Sequence, residues 1–533
     1  MAEGGHEKML WLPCSVPQKD RPDYLATVCV DQDSPDYCKV VHRLEMPYCG
    51  DSLHHMNWNT CSSCYGNPSK RRDKLVLPCL DSDRVYVADL AHNPRAPTLY
   101  KVIEGDELHR EGLSAPHTPH CLASGEVMIS TMGDENENAK GDNAECKLYV
   151  LASKTAHRCL SRLPPLDPKF IYRAGSFLLL EERTFNVRGT WQPQLDVSDF
   201  GYDFWYQPRH NVMVSSQWGA PSAFRKGFNM ADVEQGELSG RTKTNCNAVD
   251  ILCVQSYGGL KEQPNRPKER TERRLPTGAS LYGSSLVVWD WTYRRKLQTI
   301  DLGPEGAMPL EVRFLHNPDA SEGYVGCALG GTVFRFFKTE AKDGSWAAEK
   351  VISVPAKKVK GWAMDVMPAI ITDILISLDD RFLYVACWVH GDVRQYDITD
   401  TSHPKLVGQV FTGGSIYKSG PVKVLHDEEL KSQPARCTIQ GKPVRGAAQM
   451  LQLSLDGKRL YASTTLYGPW DKQFYPEMWE EGGMVIRMHA DTVKGGLTID
   501  QSFLVDFADE PDGPSLGHEI RLPGGDSTSD IWT

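Results

Sequence analysis

The residues best equipped for chemistry share one short stretch, His54-His55-Met56-Asn57-Trp58-Asn59-Thr60-Cys61-Ser62-Ser63-Cys64. Imidazole and thiolate are ligands of choice for copper and zinc. A Cys-x-x-Cys pair can also lower the pKa of one thiol and make it nucleophilic. Adjacent histidines on a strand point to opposite faces, so at most one of His54 and His55 is expected to face a common site. The chain has no second Cys-x-x-Cys, which argues against a zinc ribbon. Cys61 and Cys64 read either as a reactive pair or as ordinary structural cysteines.

A second cluster is His117-Thr118-Pro119-His120-Cys121. Its His-x-x-His spacing can bring both rings to one metal on a tight loop. The other reading is that one ring orients a neighbour by a hydrogen bond. His210, His316, His390 and His518 stand beside strand-like runs, next to Asn, Gly or Glu. Singly, each reads as a surface or hydrogen-bonded histidine. As a set they are spread widely enough to come from separate sheets around one axis, which would assemble a metal site without a local motif.

Other catalytic signatures are absent. There is no Gly-x-Ser-x-Gly elbow, dinucleotide fingerprint or Walker loop. No carboxylate pair stands out as a glycosidase dyad. Asp392, Asp397 and Asp400 read as turn residues.

The elements that must position these groups read as β. Runs such as Arg84–Leu90, Glu126–Thr131, Ser285–Trp291 and Val393–Ile398 alternate or are short and apolar, then meet Asp, Asn, Gly or Pro. With 45 Gly and 34 Pro, the chain suits many short strands joined by turns. An internal repeat supports this: SLDDRFLYVA from Ser377 and SLDGKRLYAS from Ser454. A tight turn at Asp-Asp or Asp-Gly would lead into a new strand. Strands ending in Trp-Asp or Tyr-Asp recur at Trp289-Asp290 and Tyr396-Asp397. Repeated units of strand, Asp, turn and strand are the sequence pattern of propeller blades, with a pair of β-sandwiches as the alternative.

At 533 residues, 40% hydrophobic and 24% charged, the chain can bury a sizeable core. A net charge of −10 repels phosphate backbones and argues against nucleic acid as a partner. No run of about 18 apolar residues is present, and the N-terminus lacks a signal-peptide pattern. The cytosol is therefore expected, with most of the 15 cysteines as thiols. Residues 237–280 break the pattern and are expected to be a disordered insertion within one domain spanning 1–533. The basic run Lys261–Arg274 inside it reads as a solvated loop.

Several long motifs resemble the selenium-binding protein family. They are Leu53–Gly66, Lys74–Leu80, His120–Ser130, Gly201–Met213, Arg313–Ala320, Lys357–Trp362, Ser377–Ile398, Asp471–Pro476 and His518–Trp532. Together they span nearly the whole chain, apart from the first dozen residues and the insertion. The resemblance implies an all-β, seven-bladed β-propeller. It implies oxidation of methanethiol by oxygen and water to formaldehyde, hydrogen sulfide and hydrogen peroxide, with copper as cofactor and selenium carried at Cys61. It also implies links to intra-Golgi transport, the nucleus and the peripheral membrane. Copper ligands are then expected from His54 or His55, His117 or His120, His210, His316, His390 and His518. Cys61 and Cys64 are the catalytic thiol candidates. The rival expectation is a non-catalytic selenium-binding scaffold with protein partners on its face. A lactonase-like calcium propeller would need axial Asp, Glu and Asn, which no cluster supplies.

Overall fold

The computed structural model describes residues 6–134, 175–193, 196, 198–233, 280–342 and 344–533. The expected insertion 237–280 and its basic run lie outside the described residues, except for Ser280. Two compact units are distinguished: residues 1–228 with 282–533, and residues 229–281. In the smaller unit the amide of Leu281 donates to the carbonyl of Asp232 at 3.1 Å.

The described residues of the larger unit form seven four-stranded antiparallel sheets. Six are simple meanders of consecutive strands, beginning at Asn57–Trp58, Ser114–Cys121, Phe204–Gln207, Pro309–Phe314, Ile371–Ile376 and Leu451–Leu453. The seventh joins the two ends of the chain. Met9–Ser15, Pro22–Cys29 and Lys39–Cys49 form three of its strands, and Leu516–Gly517 adds the fourth beside Met9–Ser15.

The two edges of each sheet differ sharply. All seven edge strands of one kind, from Asn57–Trp58 through Leu516–Gly517, are fully buried. The opposite edges are less buried, most of all Arg295–Asp301, where Arg295, Lys296, Leu297, Thr299 and Asp301 face solvent. An unpaired, buried edge leaves backbone N–H groups that need acceptors. Buried carboxylates from neighbouring sheets supply them. Asp23 accepts from Leu53 at 2.8 Å, Asp83 from Ala115 at 2.8 Å and Asp203 from Val312 at 2.8 Å. Asp373 accepts from Leu451 at 2.6 Å, and Glu519 from Met56 at 2.5 Å. The inner edges are thereby stapled sheet to sheet.

The internal repeat is one turn used twice. Ser377 donates to Asp379 at 2.6 Å and accepts the amide of Phe382 at 2.9 Å. Ser454 donates to Asp456 at 2.6 Å and accepts the amide of Arg459 at 3.0 Å. The left-handed position is Asp380 in one copy (φ 57°) and Gly457 in the other (φ 74°). Asp380 is also an inter-sheet acceptor, taking the amides of His316 and Asn317 at 2.6 and 2.7 Å. Asp397 and Asp400 are turn residues as expected, accepting from Thr399 and Ser402. Asp392 is not. It opens the strand Asp392–Asp397, is buried, and pairs with Arg394 at 2.8 Å and Gln409 at 2.6 Å, balancing a guanidinium inside the fold.

Candidate functional site

His54 and His55 lie between the isolated bridge Leu53–Cys79 and the short strand Asn57–Trp58. That irregular backbone overturns the expectation that their rings face apart, because strand alternation does not hold there. His117 comes from the buried edge strand Ser114–Cys121, and His518 directly follows Leu516–Gly517. One ring nitrogen from each of His54, His55 and His117 lies within 4.8 Å of the other two. His518 stacks on His54 with ring centroids 3.7 Å apart and stands 5.2 Å from His55. All four are buried.

Burial above all holds His54, His55, His117 and His518 in their neutral forms. For His54 and His117 the pKa falls well below the usual imidazole value, from burial first and adjacent histidines second. His518 is pushed down to about 3 by burial and His55. For His55, the nearby guanidinium groups of Arg521 and Arg313 add to burial. His518 Nδ1 contacts the carbonyl of Thr465 at 2.9 Å, and a carbonyl can only accept. Nδ1 therefore carries the proton and Nε2 keeps its lone pair. His55 Nδ1 lies 3.3 Å from the Glu519 carboxylate, and its Nε2 lies 3.8 Å from Glu311. The Nε2 atoms of His55, His117 and His518 are buried without a hydrogen-bond partner. Bare buried imidazole nitrogens are uncommon, and several in one group point to a coordination role. A set of neutral imidazoles with free lone pairs fits copper.

His54 and His117 also form one wall of an apolar cavity. Leu80, Met132, Trp218, Leu310, Ile370 and Trp470 are among the residues that complete it. The space open to the centre of a water-sized sphere is about 20 Å³. Tyr202 lines the same cavity and packs on His117 with centroids 4.0 Å apart.

Behind the histidines runs a buried ionic network that the sequence reading misses. Arg313 binds Asp203 and Glu311, each at 2.7 Å, and approaches Asp373 at 3.8 Å. Arg521 pairs with Glu519 and donates to Thr528 at 2.7 Å. Burial and Asp203 push Glu311 well above the carboxylate range, and burial takes Asp373 to about 7. A signal is present in the sequence: charged residues inside runs otherwise read as core strand, as in Pro309–Phe314 and Ile371–Ile376.

The other expected ligands are placed elsewhere. His120 and His117 sit on a strand, not a tight loop. His120 packs on Phe204 and Trp205 with centroids 5.1 Å away, and Asn57 Nδ2 donates to its Nδ1 at 3.2 Å. His316 contacts the carbonyl of Ile376 at 3.1 Å, and His390 that of Met367 at 3.1 Å. Both are locked by backbone acceptors. His120, His210, His316 and His390 each keep one bare ring nitrogen as well, so the clustering of His54, His55 and His117 is what marks the site. His210 ends the short turn Pro208–His210 and is partly buried.

The cysteines form a separate group. Ser63 Oγ lies 3.1 Å from the sulfur of Cys61 and 3.9 Å from those of Cys64 and Cys121. A hydrogen bond with Cys121 brings Cys64 down to about 6, against the cost of burial. Cys61 is also lowered: burial raises it, but hydrogen bonds from Cys121 and Ser63 prevail. Cys121 is pushed up by burial and by its two thiol neighbours. Nothing in the sequence marks Cys121 as a third member of the thiol pair, although it adjoins His120. It lies four residues along the strand from His117, a span of about 13 Å at full extension, so thiols and histidine group occupy different stretches of that strand.

The family model described as 56kDa selenium binding protein matches residues 1–156, 166–244 and 271–533. A Xenopus laevis protein named methanethiol oxidase is 51% identical over 533 residues, covering 99% of this chain and 96% of its own. A Homo sapiens protein of the same name is 50% identical with the same coverage. The X-ray structure of a hypothetical selenium-binding protein from Sulfolobus tokodaii is similar with a TM-score of 0.75 at 30% identity, covering 100% of this chain and 97% of the other.

Proposed function

Because this chain belongs to the 56kDa selenium-binding protein family, we propose that it oxidises methanethiol with oxygen and water to formaldehyde, hydrogen sulfide and hydrogen peroxide. The observation that carries this reading is the pairing of a histidine group with a cavity that suits a small apolar molecule. Full-length relatives named methanethiol oxidase support it. The seven four-stranded sheets are then the blades of a seven-bladed propeller, and the buried edges are its inner strands. The eleven described cysteines are free thiols, which suits the cytosol.

His54, His55 and His117 would hold copper, with His518 alongside. When bound, copper supplies the one-electron chemistry that ground-state oxygen requires of a thiol. The chain's own residues do the rest. The Glu519 carboxylate, 3.3 Å from His55 Nδ1, favours a proton on that nitrogen and so leaves Nε2 free. The Thr465 carbonyl does the same for His518. Leu80, Met132, Leu310 and Ile370 give the methyl group an apolar seat and leave little room for water.

The test is metal content of the purified protein together with hydrogen sulfide release from methanethiol. Stoichiometric copper and release that a chelator abolishes are expected. A folded protein with neither would leave selenium binding as the better reading. The thiol group gives that second reading a physical basis, since Cys61 and Cys64 are both shifted toward thiolate. We place selenium at Cys61, away from the histidines.

A further inference from the structure

The cavity beside His54 and His117 is small enough to select its substrate, and we infer that Leu310, Met132 and Ala328 restrict this enzyme to one-carbon thiols. This rests on the thiol-oxidase reading above and names what limits it. The free space, about 20 Å³ for the centre of a water-sized sphere, is little more than one such position. Methanethiol presents a single carbon. Each added methylene asks for room beyond that one position.

The wall is not free to yield. Leu310 lies on the buried strand Pro309–Phe314, and its carbonyl accepts Ser216 Oγ at 2.5 Å. Met132 lies on the buried strand Val127–Gly133. Ala328 follows the strand Glu322–Cys327, and its amide donates to the carbonyl of Met308 at 2.9 Å. Phe224 and Trp470 also line the cavity, on two segments tied together. Trp470 Nε1 donates to the carbonyl of Phe224 at 3.0 Å. The Gln473 amide group both donates to and accepts from the backbone of Phe228, at 2.9 and 2.8 Å. Packed interiors of this kind respond to a change of one methylene. In a pocket, one methylene is worth about 10- to 200-fold in specificity.

The experiment compares methanethiol, ethanethiol and 1-propanethiol by two readouts. One is hydrogen sulfide release in air. The other is the shift in unfolding temperature under argon, where no oxidation proceeds and only binding is read. The wild type should favour methanethiol over ethanethiol by at least about tenfold in kcat/KM. Leu310→Ala and Met132→Ala should raise the ethanethiol-to-methanethiol ratio by about tenfold or more. Because either may fold poorly, Leu310→Val gives a milder enlargement. Ala328→Val works in the opposite direction, filling the cavity, and should cut methanethiol turnover at least about tenfold with the protein still folded. A wild-type ratio near one, or ratios unmoved by all four substitutions, would overturn the assignment while hydrogen sulfide release keeps the oxidase reading intact. Selective stabilisation by methanethiol under argon, without hydrogen sulfide from any thiol, would sink the oxidase reading and uphold the size limit. Neither stabilisation nor release would overturn both.

Discussion

Burial leaves the Nε2 atoms of His55, His117 and His518 without a hydrogen-bond partner, and an unsatisfied buried polar atom costs about 1–3 kcal/mol. His55 and His117 lie in one group with His54, and the fold gains when a metal takes up such free lone pairs. His117→Ala should therefore lose most bound copper, whereas His390→Ala, whose ring is held by the Met367 carbonyl, should keep it. Metal content of the two purified variants decides the point. Glu519→Gln keeps the shape but weakens the hold on His55, and should lower copper affinity by about 10- to 100-fold in a chelator competition. The thiols give a third expectation. Cys64 lies near 6, below the ordinary thiol range, so its alkylation should persist as pH falls and drop only through about 6. Cys121→Ser removes the largest cause of that shift, and the midpoint should move up. Residue types were legible at this scale: His54, His55, His117, Cys61 and Cys64 announced metal or thiol chemistry. His518 stood in the expected ligand set, but nothing in the sequence separated it and His54, His55 and His117 from His120, His210, His316 and His390, because that depends on which rings meet in space. Glu311 stands out only as a charge inside an otherwise apolar run, and Glu519 looks like any other carboxylate until burial is known.

At the scale of elements, the alternation and the Ser-Leu-Asp turns made a β architecture readable before any coordinate. Both copies of the turn fold alike because Ser377 and Ser454 bond the same local groups. The short helices that line the cavity carry no such periodic signal, and the sequence did not reveal that they do so. Helix Gly468–Phe474 depends on Asp471, which is fully buried and accepts the amide of Leu466 at 2.8 Å. Burial raises Asp471 to about 7 from an ordinary 3.8. The folded state thus prefers the protonated form. That contribution is complete below 3.8 and is lost as pH rises through about 7. Asp471→Asn is neutral at every pH. Its unfolding temperature should gain on the wild type between pH 4 and pH 8, by at least about 2 °C, in paired thermal melts. A difference that stays constant with pH would show that Asp471 is ionised in the fold.

In the larger unit the first sheet closes with a strand from near the other end of the sequence, and that closure also completes the candidate site. Leu516–Gly517 pairs with Ser15 and Cys14, Arg521 bridges to Trp11, and between them lie His518 and Glu519. The segment that finishes the first sheet therefore delivers the ring stacked on His54 and the carboxylate beside His55. If closure and site are one structure, a fault in the strand should damage both. Gly517 offers the place to test this. A Cβ there would meet the Phe507 ring at 3.0 Å and Leu12 at 3.1 Å, contacts tight enough to shift the strand. Gly517→Val should cost about 1–3 kcal/mol from overpacking. Copper content should fall with it, although Gly517 is no ligand. Gly441→Val is the control for lost stability alone. Its φ of +79° strains any side chain, but nothing lies within 4 Å of the added Cβ, so no packed neighbour has to move. It should lower the unfolding temperature and leave copper unchanged. If Gly517→Val lowers the unfolding temperature yet binds copper as the wild type does, His518 and Glu519 hold their places without the closing strand, and the coupling between fold and site is refuted.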